Sequence, residues 1–242
     1  MDLTVYGYHE HPNVLEFDTE VVDSRPGAVM LARSLLHPWG GGQVSDRAQI
    51  TFGSGVAAIV DVSLGSGRYW HVLDSAVEVS GSVHVAIDAA HRLRVAQLHT
   101  DTHILNALVF RHFDGALVTG AQIAADGTAR MDFDLPEVDN DALRRLEPEL
   151  NEAIRAGLPV RASYVTSVEA SATPGLIRSA AVAPPPTSDG RIRIIEIEGL
   201  DRQACGGTHL SNTSESGRVR IVKVENKGRH NRRIRLALAN QA

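Results

Sequence analysis

DAAHRLRVAQLHTDTHILNALVFRHF, Asp88–Phe113, is the stretch on which the fold turns. No glycine or proline interrupts it before Gly115, and apolar residues recur at Leu93, Leu98, Ile104, Leu105, Leu108 and Val109. That spacing predicts a long helix, with Asp88 as its N-cap. Upstream, the chain reads as short alternating runs punctuated by glycine: FDTEVVDS, GAVMLARS, AQITFG, VAAIVDVSL, RYWHVL and VHVAIDA. Apolar and polar residues alternating between turn residues predict an antiparallel barrel-like or sandwich unit. Downstream, a second helix is expected over about 139–156, with Pro148 as a kink or break. Strands are expected at VRASYVTS, RIRIIEIEG, RVRIVKVEN and RRIRLALA, and AVAPPPTSDG reads as a loop. The fold class is α+β: an N-terminal small β-barrel-like domain over 1–87 and a C-terminal α+β domain over 88–242.

Composition narrows the function. The 242 residues carry a net charge of −5, which argues against broad coating of nucleic acid. The charge is uneven, however. RVRIVKVENKGRHNRRIR, 218–235, is strongly basic, with Glu225 its only acid, and such a block can hold phosphates on an acidic protein. Aromatic residues make up 5%, too few to suggest a stacking platform for single strands. No apolar run approaches the roughly 20 residues that span a bilayer. The opening MDLTVYGYHEHP has no basic segment followed by an apolar one, so no signal peptide is expected. A single cysteine rules out an intrachain disulfide and fits the reducing cytoplasm.

That cysteine sits in QACGGTHLSNT, 203–213, four residues before a histidine. Cys205 and His209 have the same spacing as His99 and His103 on the expected helix, where one turn places both imidazoles on one face. Gly206 and Gly207 would let the backbone fold so that thiolate and imidazole point inward together. Three histidines and one cysteine make the nitrogen and sulfur set that zinc prefers, one ion per chain. The first pair reads H-T-D-T-H and lacks the glutamate of the common zinc peptidases. Asp101, two positions from each histidine, is expected on another helix face. Four ligands close a structural site, whereas a catalytic zinc keeps an open position, and the spacing leaves that choice open. HPWGGGQVSDR, 37–47, is glycine-rich: Gly40, Gly41 and Gly42 permit close backbone approach, or form a wide hairpin turn.

Together these residues resemble a known family. H-x-x-x-H at His99 and His103 followed by C-G-G-T-H at 205–209 looks like the editing domain of alanyl-tRNA synthetases, the threonyl/alanyl-tRNA synthetase second-additional-domain type. It is more similar still to the free-standing AlaX-type editing proteins. GGGQVSDR, SESG at 214–217 and VENKGRHNRRIRLAL agree in order and spacing, and Ser216 stands where the family often has isoleucine. The resemblance implies an aminoacyl-tRNA deacylase of medium-length type, without an aminoacylation domain or a C-terminal oligomerisation extension. It would act on the acceptor end of mischarged tRNA(Ala), chiefly Ser-tRNA(Ala) and also Gly-tRNA(Ala), with zinc held by His99, His103, Cys205 and His209. By position, Thr119 would bond the serine hydroxyl, and Gln122 stands nearby. Gly40, Gly41, Gly42 and Gln43 would help close the pocket or guide the CCA end. Lys227, Arg229, Arg232, Arg233 and Arg235 would hold phosphates, although alternation along a strand must turn some of them away. No membrane and no stable protein partner is expected.

Two other readings share these residues. A threonyl-tRNA-type editing domain also carries both half-sites, and a non-catalytic zinc module could bind RNA with all four ligands closing the site.

Overall fold

The computed structural model describes residues 7–53, 55–65, 68–178, 187 and 189–239. It comprises two compact units, Met1–Gly40 with Val44–Leu93 and Gly41–Gln43 with Arg94–Ala242.

In the first unit a short helix, α1 (Gly7–Glu10), precedes six strands: β1 (Glu16–Arg25), β2 (Ala28–Leu31), β3 (Ala48–Phe52), β4 (Gly55–Gly65), β5 (Arg68–Leu73) and β6 (Gly81–Ile87). They pair antiparallel and close into a barrel in the order β1-β2-β5-β4-β3-β6, which removes free sheet edges. The expected alternation is seen in β6, where Val83, Val85 and Ile87 point into the core with Val29, Ile50, Ile59 and Val62, but not in β2, whose four residues are all buried. Bulges at Val21/Asp23 and Ile59/Asp61 supply the bending that closure needs. Asp46 is fully buried and tied off: Arg92 donates to it from Nε at 2.9 Å, and Arg92 Nη2 also reaches Leu35 O at 2.7 Å.

The long helix α2 runs Ala89–His112, and Asp88 Oδ1 accepts the amide of His91, an N-cap bond. Burial along the helix does not follow one face. Leu93 is 48% exposed, whereas residues 98–109 are buried on every side. Polar side chains inside that stretch therefore need internal partners, and they are the ones that build the site.

After α2 come β7 (Val118–Ile123), β8 (Thr128–Asp134), α3 (Asn140–Arg144), α4 (Glu147–Arg155), β9 (Val160–Thr166) and α5 (Ser167–Ala172). Then follow β10 (Arg191–Ile197), β11 (Asp201–Ala204), a 3-10 turn at Thr213–Glu215, β12 (Val219–Lys227) and β13 (Asn231–Leu238). One sheet has the order β12-β13-β8-β7, another β11-β10-β9. The expected helix over 139–156 is two helices, because Pro148 has no amide to continue α3 and instead opens α4. The β7–β8 hairpin was not expected as strands. Its signal was Asp126-Gly127, with Gly127 at φ +83°, followed by TARMDFD, where Ala129, Met131 and Phe133 are buried in alternation with polar residues. Residues 181–186 of the expected AVAPPPTSDG loop lie outside the described residues.

Candidate metal centre

His99 and His103 of α2 meet Cys205 and His209 of the C-G-G-T-H segment, with one ligand atom from each within 4.8 Å of the others. Sγ of Cys205 lies 3.3 Å from Nε2 of His99 and 3.3 Å from Nε2 of His209. The cysteine is buried and free.

Each imidazole turns Nδ1 outward to a different partner. Oε1 of Gln43 lies 2.7 Å from His99 Nδ1 and also accepts the Thr208 amide at 3.0 Å. An atom that accepts an amide proton is an acceptor, so His99 donates from Nδ1 and keeps a lone pair on Nε2. Oδ2 of Asp201 receives His103 Nδ1 at 3.0 Å, and Oγ1 of Thr100 stands 3.3 Å from His209 Nδ1. Nε2 of His99 and of His209 thus face the thiolate, while His103 gives its Nδ1 to Asp201.

Charge favours the ligating forms of Cys205 and His209. Burial alone would raise the Cys205 thiol, but the three surrounding imidazoles hold it well below its usual value, favouring thiolate. Burial and the neighbouring His99 push His209 well below its usual value, so it stays neutral. Burial also opposes charge on His103, yet the thiolate and Asp201 overcome it and lift its pKa to about 9. A cation held by the cluster would take the place of that proton. Three imidazole nitrogens and a thiolate, oriented and buried, fit a borderline-soft divalent cation.

The glycines of the segment serve differently from the expectation. Neither Gly206 nor Gly207 has a positive φ, so neither is required for a special turn conformation. Gly207 is required for space: a Cβ there would overlap Cε1 and Nδ1 of His99 and lie 2.5 Å from Gln43 Oε1. Nothing lies within 4 Å of a Cβ on Gly206. Arg193 of β10 clamps the segment from behind, donating from Nη1 to Cys205 O at 3.1 Å and to Gly207 O at 2.8 Å. Asp101 is not part of this cluster; Ser216 Oγ donates to it at 2.9 Å, and burial pushes its carboxyl well above the usual range.

The approach permitted by the triple glycine is made to β7. Gly42, at φ +85°, accepts the Ile123 amide at 2.7 Å, and a Cβ on it would lie 2.6 Å from Ala121 O. Gly40 and Gly41 have nothing within 4 Å of such an atom.

Comparisons with known proteins follow this geometry. The family described as "Threonyl and Alanyl tRNA synthetase second additional domain" matches residues 192–235. Over 231 residues the chain is 33% identical to the alanyl-tRNA editing protein AlaX-M of Saccharolobus solfataricus, covering 94% of this chain and 95% of that one. The chain belongs to the AlaX-M alanyl-tRNA editing family. The AlaX-M protein of Methanosarcina barkeri is 34% identical over 220 residues, 88% of this chain and 89% of its own. The alanine–tRNA ligase of Methanopyrus kandleri is 32% identical over 248 residues, but this chain spans only 26% of that enzyme. In this AlaX-M family member no helix among the described residues is long and apolar enough to cross a membrane.

The remaining candidates scatter. Thr119 Oγ1 donates to Asn231 Oδ1 at 3.0 Å, and Gln122 Oε1 accepts Arg130 Nε at 3.0 Å. Gln43 is 1% exposed, and its amide is spent on His99 and Thr208. Arg233 pairs with both oxygens of Asp132, at 2.6 and 2.7 Å. Arg232 is buried and donates to Val138 O. Glu225, held at about 2 by hydrogen bonds from Arg235 and Lys223, also lies 3.6 Å from Lys227. Arg229 is exposed in the β12–β13 turn, without an ion pair among the described residues. Sequence reading missed Asp201, Gln203, Thr100 and Arg193. A signal for the first two existed: Asp201 and Gln203 alternate with exposed Arg202 on the strand that leads to Cys205, which places two polar residues on a buried face.

Proposed function

We propose that the protein is a trans-acting aminoacyl-tRNA deacylase of the cytoplasm, with residues 88–242 as its editing domain and 1–87 as a glycine-motif domain. It hydrolyses the ester of Ser-tRNA(Ala): water adds at the acyl carbon, the bond to the terminal ribose oxygen breaks, and free serine and tRNA leave. The buried cluster of His99, His103, Cys205 and His209, with Nε2 of His99 and of His209 facing the thiolate, carries this reading. Bound zinc would supply Lewis-acid polarisation or orientation of the ester carbonyl. Gln43 and Asp201 accept Nδ1 of His99 and His103, and the imidazoles favour the Cys205 thiolate.

The test incubates the metal-loaded protein with Ser-tRNA(Ala), Gly-tRNA(Ala), Ala-tRNA(Ala) and Ser-tRNA(Thr), with and without a chelator. Loss of the Ser-tRNA(Ala) ester, stopped by chelation and restored by zinc, is expected. Hydrolysis confined to Ser-tRNA(Thr) would point to the threonyl type. The four-ligand set also favours a second reading, a structural zinc in an RNA-binding module. Under it, chelation unfolds the protein and zinc restores RNA binding, with every ester intact.

Thr119 is the residue we assign to the serine hydroxyl. Its own proton goes to Asn231, so its Oγ1 lone pairs remain to accept a hydroxyl proton. Thr119→Val is expected to lower kcat/KM for Ser-tRNA(Ala) by about 0.5–1.5 kcal/mol, roughly two- to tenfold, while leaving Ala-tRNA(Ala) unchanged. An equal change on both substrates would remove Thr119 from the pocket.

Phosphate binding falls to Arg229 rather than Arg232 or Arg233, whose guanidinium groups are engaged within the protein. Arg229→Ala is expected to weaken tRNA binding irrespective of the esterified amino acid and to reduce the slope of log K against log salt by about 1. A salt titration of binding measures this, and an unchanged slope would exclude Arg229 from the contact.

A further inference from the structure

We propose that Asp201 is a positioning residue for the metal centre: it sets the orientation and donor strength of His103 and makes it the most firmly held of the three imidazoles. This rests on the metal reading of the cluster.

Both oxygens of Asp201 are spoken for. Oδ1 accepts Arg178 Nη1 at 2.9 Å, while Oδ2 accepts His103 Nδ1 at 3.0 Å and Gln203 Nε2 at 2.6 Å. The carboxylate side chain is 0% exposed. Both oxygens are engaged by neighbouring side chains, Oδ2 twice, and Asp201 stands outside the four-residue group that could hold the ion. What it offers is a fixed negative charge on the far side of one imidazole.

The other two imidazoles lack that. His99 is backed by the neutral amide of Gln43 and His209 by the neutral hydroxyl of Thr100 at a longer 3.3 Å. A carboxylate behind an imidazole fixes its tautomer and raises the basicity of the opposite nitrogen. His103 is therefore the strongest nitrogen donor of the set.

The carboxylate is held by further ties. Gln203 is itself bonded by Asn106 Nδ2 at 2.9 Å, one turn beyond His103 on α2. Arg178 is fixed by Gly175 O at 2.9 Å and by stacking 4.3 Å over the Phe110 ring. Helix and strand are thus joined by a polar chain that runs Asn106, Gln203, Asp201, His103 and ends at the centre. Each link from Asn106 Nδ2 to His103 Nδ1 is a made hydrogen bond and so orients the ring, while Oδ1 of Asn106 at the far end is buried without a hydrogen-bond partner among the described residues.

The test compares wild type, Asp201→Asn and Arg178→Gln for zinc affinity by chelator competition and for the visible spectrum of the cobalt-substituted protein. Circular dichroism and melting curves monitor folding. Asp201→Asn keeps an acceptor but removes the charge. It is expected to bind one zinc with about 10- to 100-fold weaker affinity and to shift the cobalt ligand-field bands. Arg178→Gln leaves the carboxylate present but unties Oδ1, and a smaller loss is expected. A purely structural role for Asp201 would lower the melting temperature and leave the cobalt bands in place. Folded variants with wild-type affinity and spectrum would overturn the proposal. If Asp201→Asn does not fold, Arg178→Gln decides: weaker binding supports the assignment and unchanged binding overturns it. Failure of the wild type to bind zinc would instead overturn the metal reading, and this inference with it.

Discussion

Cys205→Ser is expected to abolish zinc retention and ester hydrolysis while leaving the fold in place. The thiolate is the only anionic ligand in the cluster, and its charge is sustained by three imidazoles around it. Serine is similar in size, but its hydroxyl stays protonated near neutral pH and is a hard oxygen donor where a soft one stood. Removing one partner of a buried charged group costs about 3–5 kcal/mol, which corresponds to roughly two to four decades in zinc affinity. The barrel core is built from residues 17–87 and contains none of the ligands, so the first unit should keep its secondary structure. Zinc content after dialysis and the rate of Ser-tRNA(Ala) deacylation measure the outcome. A variant that retains stoichiometric zinc and full activity would remove Cys205 from the ligand set.

Gly207→Ala should be nearly as damaging, and its neighbour Gly206→Ala nearly silent. The two glycines look equivalent in C-G-G-T-H, yet only Gly207 faces the ring of His99 and the amide of Gln43. An added methyl group must displace one of them, because the Arg193 clamp holds the carbonyls on either side of Gly206. Overpacking of this kind costs about 1–3 kcal/mol. For a chain of this size that lowers the melting temperature by roughly 2–12 °C. The loss of function should be larger than the loss of stability, since turning His99 breaks its bond to Gln43 and moves Nε2 off the centre. Melting curves with zinc titrations on both alanine variants separate the two positions. Equal behaviour of the pair would show that the glycines answer to the backbone rather than to His99.

Much of this was legible in the chain itself. Period-two alternation marks strands of the barrel such as β6, with one face inside and one outside, although β2 is buried on both faces. The long helix declared itself by its lack of glycine and proline. It was harder to read as a face, because residues 98–109 are enclosed on every side and no polar stripe exists to orient them. The hairpin of β7 and β8 was half legible: β8 alternates Ala129, Met131 and Phe133 with polar residues, whereas β7, VTGAQI, carries little hydrophobic contrast.

Sequence alone determined which side chains have metal-ligating chemistry and how they are grouped, since His99 with His103 and Cys205 with His209 are local pairs set by helix pitch and a short segment. Their partners were decided only by tertiary structure. Asp201 lies 98 residues from His103 and Gln43 lies 56 from His99, and no local pattern couples positions so far apart. The same holds for the basic segment. Its charge could be counted along the chain, but only the pairing of β13 with β8 places Asp132 against Arg233, and only the β12–β13 turn leaves Arg229 in solvent. Ligand identity is a property of single residues. Tautomer, donor strength and the freedom of a charge depend on what packs beside them.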